Sequence, residues 1–123
     1  MEKSFSERVA EAKQAVSSID PREAAALRES GEPVVFVDPR PADAIASTTG
    51  IIPGANNVAL DAIVDGELPE ELRETSTRII TACQGGPMGA VAAHEFQKLG
   101  YGRVQYVEGG TQGWLDAGLS TDR

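Results

Sequence analysis

The chain has 123 residues, 41% of them hydrophobic and 24% charged, with 19 Asp and Glu against 11 Lys and Arg. That size and composition describe one globular domain with a core of its own. The formal net charge of −8 argues against nucleic acid or an anionic membrane surface as a partner.

Apolar runs stay far short of the roughly 20 residues of a membrane helix. The N-terminus lacks the basic-then-apolar pattern of a secretory signal. One cysteine allows no internal disulfide, so the expected compartment is the reducing cytoplasm.

In chain order, Phe5, Val9, Ala12, Val16 and Ile19 fall four, three, four and three residues apart. They form one face of an amphipathic helix whose other face carries Glu7, Arg8, Glu11 and Lys13. Asp20-Pro21-Arg22-Glu23 opens a second helix, with Asp20 as cap, Pro21 in the first helical position and Glu23 placed for a capping box. Gly31 stops it. Val34-Val35-Phe36-Val37 is a continuous apolar run of the kind a buried parallel strand shows, ended by Asp38-Pro39-Arg40. A short helix is predicted over 41–46, a turn at Ile51-Ile52-Pro53-Gly54-Ala55, and a second strand at Asn57-Val58-Ala59-Leu60. Residues 68–73 suggest another short helix, residues 78–82 a third strand and residues 90–100 a helix closed by Gly100. Val104-Gln105-Tyr106-Val107 is a fourth strand, followed by a last helix that Gly118 ends. Helices alternate with strands throughout, which predicts an α/β fold around a mostly parallel sheet. Ligands of such sheets sit beyond the carboxyl ends of the strands.

The most informative stretch is Ile79-Ile80-Thr81-Ala82-Cys83-Gln84-Gly85-Gly86-Pro87-Met88-Gly89-Ala90. A strand runs into the only cysteine of the chain, a glycine-rich turn follows, and a helix begins. Backbone N–H groups of such a turn and of the helix start point back toward the sulfur, and the helix dipole adds to them. That arrangement favours the thiolate, which is the nucleophilic form of cysteine. The competing reading treats Cys83 as a small buried hydrophobe.

Four segments together resemble the rhodanese-like sulfurtransferases. Val37-Asp38-Pro39-Arg40 is similar to the family's V-D-x-R. Gly50-Ile51-Ile52-Pro53-Gly54-Ala55 resembles G-H-I-P-G-A, with Ile51 in place of histidine. The segment from Cys83 to Gly89 resembles the C-x-x-G-x-R-S/T loop, and Gly109-Gly110-Thr111-Gln112-Gly113-Trp114 the G-G-x-x-x-W motif. The resemblance spans about residues 19–119 and sets residues 1–18 apart as an N-terminal helical arm before a domain over 19–120. It implies a three-layer sandwich of about five parallel strands with helices on both faces. It also implies a persulfide carried on Cys83, a cradle of amides from Gln84, Gly85, Gly86, Pro87, Met88, Gly89 and Ala90, and no metal or organic cofactor. Asp38 and Arg40 are supporting residues: the aspartate is structural, and the arginine ties the active-site loop to its surroundings or lends it positive potential. The implied partners are a small sulfur donor such as thiosulfate or a persulfide, including a protein persulfide, and a thiol or cyanide acceptor.

Two departures bear on chemistry. Met88 occupies the arginine position of the loop and Gly89 the hydroxyl position, so the loop carries no charged side chain. Thiosulfate, a dianion, would meet backbone dipoles alone on a negatively charged protein. Weak thiosulfate activity is therefore expected, and a catalytically weak binding or regulatory module is the alternative reading. A cysteine phosphatase of related fold needs an arginine six residues beyond the cysteine to clamp the oxyanion bidentately, and that position is Gly89. His94 lies along the helix away from the loop and is read as a surface or core-edge residue, Trp114 and Phe96 as core. Glu67, Glu70, Glu71 and Glu74 are read as a solvated face.

Overall fold

The computed structural model describes residues 3–123. Its centre is a pair of parallel strands, β2 (Val34–Asp38) and β4 (Arg78–Thr81), with Phe36 opposite Ile80 and Val37 opposite Thr81. Side chains of a strand alternate between faces. Val35, Val37 and Ile79 accordingly join one core, and Val34, Phe36 and Ile80 join the other. Burial on both faces explains why the β2 run is apolar without alternation. β5 (Val104–Val107) flanks β4, while β1 (Ser18–Ile19) and β3 (Asn56–Asn57) form the edges. The order is β1-β5-β4-β2-β3, and every pairing is parallel.

Helices α1 (Phe5–Ala15), α4 (Leu60–Asp65) and α5 (Pro87–Lys98) cover one face of the sheet, and α2 (Pro21–Glu29) and α6 (Gly110–Asp116) the other. A short α3 (Ala42–Ala46) follows β2. The first core gathers Ile63, Leu72, Ile79, Phe96 and Tyr101, with the Phe96 and Tyr101 rings edge to face at 5.2 Å. The Tyr101 hydroxyl donates to the Leu72 carbonyl, and burial pushes its pKa up. The second core holds Ile19, Phe36, Ile80, Val107 and Trp114. There the indole packs against Phe36, and its Nε1–H donates to the Ser120 carbonyl at 2.9 Å. This is the α/β fold with a parallel sheet that the alternation predicts, and the three-layer sandwich that the resemblance implies.

Four local readings change. The first helix stops at Ala15, because the backbone at Ser17 and Ile19 finds a better partner in the edge of β5. Tyr106 N–H donates to the Ser17 carbonyl and Glu108 N–H to the Ile19 carbonyl. Ile19 therefore belongs to the second core, while Ala12 of α1 packs with Ala90 and Val91 of α5 on the opposite face. The strand expected over 57–60 reduces to Asn56 and Asn57, and Leu60 begins α4, which Gly66 ends in the left-handed conformation at φ 74°. α5 begins at Pro87, three residues before the expected start, with proline in the first turn where its missing N–H is harmless. Asp20 caps α2 through the Arg22 N–H at 2.8 Å rather than through a reciprocal box with Glu23.

Candidate active site

The central strand β4 delivers Ala82 and Cys83 to the carboxyl edge of the sheet. Ala82 N–H still donates to the Val37 carbonyl at 3.0 Å, so the ladder continues to the residue before the cysteine. The Thr81 hydroxyl donates to the Gly89 carbonyl at 2.6 Å and fastens the strand end to the first turn of α5. A side chain at Gly89 would bring its Cβ within 3.2 Å of the Cys83 nitrogen, so helix and strand end meet backbone to backbone.

Cys83 lies at this junction, 4% exposed. The loop beyond it turns through Gly86, whose φ of 120° favours glycine, and the Gly86 N–H points at the Cys83 Sγ from 3.0 Å. The cradle is narrower than expected. Pro87 has no N–H, and the Ala90 N–H is committed to the Gly86 carbonyl at 3.0 Å as part of α5. Met88 and Gly89 sit in the helix's first turn, which no side chain among the described residues caps. Gln84, Gly85 and Pro87 are exposed and Met88 is half-buried. The loop's other flank is held by α6: the Thr111 N–H donates to the Cys83 carbonyl at 2.7 Å and the Gln112 N–H to the Gln84 carbonyl at 2.9 Å. Sequence reasoning missed these two residues, because backbone amides make the contacts and side-chain identity does not encode them.

Asp38 and Arg40 form a buried bidentate pair, with Nη2 to Oδ2 at 2.7 Å and Nε to Oδ1 at 3.0 Å. Nη1 also donates to the Thr48 hydroxyl, and Nη2 to the Thr49 hydroxyl and the Gly50 carbonyl. Arg40 thus ties down the 48–50 loop rather than the loop after Cys83. Its charge is matched by Asp38 and enclosed by protein, so it lends no free positive potential to the sulfur. The same loop is strapped from outside by residues 121–123. Ile51 and Asp122 exchange backbone hydrogen bonds, and Arg123 Nη2 donates to the Thr48 carbonyl at 2.6 Å.

His94 lies away from Cys83, in a groove between α1, α4 and α5 shared with Lys3, Arg8, Glu11 and Asp61. Glu67, Glu70, Glu71 and Glu74 are exposed. Among the described residues no cluster of His, Cys, Asp and Glu is arranged to hold a metal ion. No helix among them is long and apolar enough to cross a membrane.

Comparison with known proteins agrees with this architecture. The sequence model of the rhodanese-like domain matches residues 20–117. A protein of unknown function from Rhodopseudomonas palustris, described as a possible tyrosine phosphatase, superposes with a TM-score of 0.85 at 27% identity, covering 99% of this chain and 96% of its own. A rhodanese homologue from Thermus thermophilus is 32% identical over 77% of this chain and 96% of its own, with a TM-score of 0.60. A human single-domain sulfurtransferase shares the fold at 21% identity and a TM-score of 0.70, over 82% of this chain and 96% of its own. No curated protein sequence matches the chain. With the family's model spanning most of the chain and its parallel sheet ending in the Cys83 loop, the protein belongs to the rhodanese-like domain family.

Proposed function

We propose that the protein is a sulfurtransferase that moves sulfane sulfur through a persulfide on Cys83. The observation that carries this reading is the Gly86 N–H held 3.0 Å from Sγ at the carboxyl end of the central strand. An amide donor there stabilises a thiolate and, after transfer, the anionic sulfur attached to it. In the first half-reaction the Cys83 thiolate attacks the outer sulfur of a persulfide, R–S–SH. A new S–S bond forms to Cys83, the old one breaks, and R–S⁻ leaves with the electron pair. In the second, an acceptor thiolate attacks the terminal sulfur of the Cys83 persulfide, carries it away and returns the Cys83 thiolate. With thiosulfate as donor the leaving group is sulfite. No general base is required, because both nucleophiles react as thiolates.

The donor we favour is a persulfide, free or on a protein, over thiosulfate. The loop offers no cation to a dianion, Arg40 is neutralised in its buried pair, and the net charge of −8 opposes anion approach. The acceptor is a thiol or cyanide, and the lone cysteine, with no disulfide partner, suits a cytoplasmic setting. The near-complete burial of Cys83 favours a second reading, a rhodanese-like module that binds a partner and turns over weakly. The phosphatase description of the Rhodopseudomonas protein does not transfer, since Gly89 stands where the oxyanion clamp would need an arginine.

The test is intact mass after brief incubation with thiosulfate and, separately, with glutathione persulfide, using C83S as control. A gain of one sulfur atom, reversed by cyanide or thiol and absent from C83S, is the expected result. No gain from either donor would refute the carrier chemistry and leave the binding module.

A further inference from the structure

We infer that the first turn of α6, which Gly110 opens, positions the Cys83 loop for its sulfur chemistry, an inference that rests on the proposed role of Cys83. Three observations converge on it. First, the Thr111 and Gln112 N–H groups hold the carbonyls of Cys83 and Gln84 at 2.7 and 2.9 Å. In a planar trans peptide the N–H points opposite to the carbonyl. Fixing these two oxygens toward α6 therefore turns the Gln84 and Gly85 N–H groups away from α6. Second, the backbone at Gly110 lies so close to the loop that a Cβ would come within 2.7 Å of both carbonyl oxygens, and its φ of 65° disfavours any other residue. Third, Gly86, which donates to the sulfur, lies beside the same turn: its Cβ position is 3.8 Å from the Gly109 nitrogen. Backbone alone grips the first two peptide units of the loop, immediately before the Gly86 N–H that meets the sulfur, so α6 sets the path of the chain into that donor.

Gly113 supplies the control that separates positioning from mere stability. A Cβ there would come within 2.7 Å of the Glu108 carbonyl oxygen, so G113A strains the same helix without reaching the Cys83 loop.

The experiment measures Cys83 alkylation by iodoacetamide in the full chain and takes the ratio of the rates at pH 7 and pH 10. The ratio cancels changes in access to the buried thiol and reports how well the thiolate is stabilised. G110A is expected to lower the ratio about tenfold relative to wild type, the worth of one hydrogen bond to a charged group. Q112P replaces the N–H that holds the Gln84 carbonyl with a ring carbon, which forces that carbonyl off α6, and a fall of about threefold is expected. G113A should leave the ratio at the wild-type value. If G110A does not fold, as judged by circular dichroism, Q112P against G113A decides the matter. A ratio unchanged in the folded α6 variants, or lowered equally in G113A, would overturn the inference. Sulfur loading of wild type is read separately by mass. A protein that loads no sulfur yet shows the expected alkylation pattern would lose the transferase reading and keep the positioning role.

Discussion

Removing the Asp38 carboxylate should be among the most destabilising single changes in this protein. Asp38 is 1% and Arg40 4% exposed, so D38A leaves a guanidinium in the interior with three neutral acceptors, Thr48, Thr49 and Gly50. Three bonds are lost: the two charge-matched ones, at 2.7 and 3.0 Å, and the Arg40 backbone N–H to Oδ1 at 3.1 Å. Breaking a buried pair on one side costs about 3–5 kcal/mol, against a total stability of about 5–15 kcal/mol for an ordinary domain. The melting temperature should fall by about 10–20 °C. Urea titration with D38A, R40M and the double variant D38A/R40M would measure the loss and the coupling. We expect a coupling energy above about 2 kcal/mol, since each partner is buried for the sake of the other. A D38A loss below about 1 kcal/mol, the range of a surface pair, would refute the enclosed geometry. It would also reopen Arg40 as a free cation near the active site.

Two further outcomes follow from particular contacts. M88R places a cation in the first turn of α5, beside the Cys83 loop, and should raise the rate of thiosulfate loading by about tenfold or more. Loading from glutathione persulfide should change by less than half that factor, and mass spectrometry of both reactions checks the contrast. T111V removes a fully buried hydroxyl that has no hydrogen-bond partner among the described residues, while keeping the backbone N–H that holds the Cys83 carbonyl. Because an unsatisfied buried polar group costs about 1–3 kcal/mol, T111V should be neutral or more stable in urea titration, with Cys83 reactivity unchanged.

Much of the fold was legible because its strongest signals are local. The β2 run from Val34 to Val37 can only be buried on both faces, and Asp20-Pro21 can hardly be anything but a helix start. The failures occurred where a residue's partner is distant in the chain. Ile19 continues the apolar spacing of α1, yet the edge of β5, nearly ninety residues on, offers its backbone hydrogen bonds that a further helical turn would have to forgo. Val58 and Leu60 look like strand residues until their N–H groups are seen donating to the Asp38 and Pro39 carbonyls, which bends the chain into α4. Pro87 carried a readable signal, proline at a first helical position, that places the start of α5 three residues earlier than the apolar face alone suggested.

By itself the sequence determined the alternation of helix and strand, the placement of the lone cysteine at a strand end before a glycine-rich turn, and the absence of charge in that turn. These follow from periodicity, from backbone-permissive residues and from composition, none of which needs a third dimension. Only the tertiary structure decided that Arg40 faces inward to Asp38 and the 48–50 loop, that Gly86 supplies the amide at the sulfur, and that α6 grips the loop from its far side. Each of those depends on backbone groups or buried charges meeting across the sheet. A peptide N–H is the same at every residue but proline, so its partner is chosen by where the chain packs rather than by which side chain it bears.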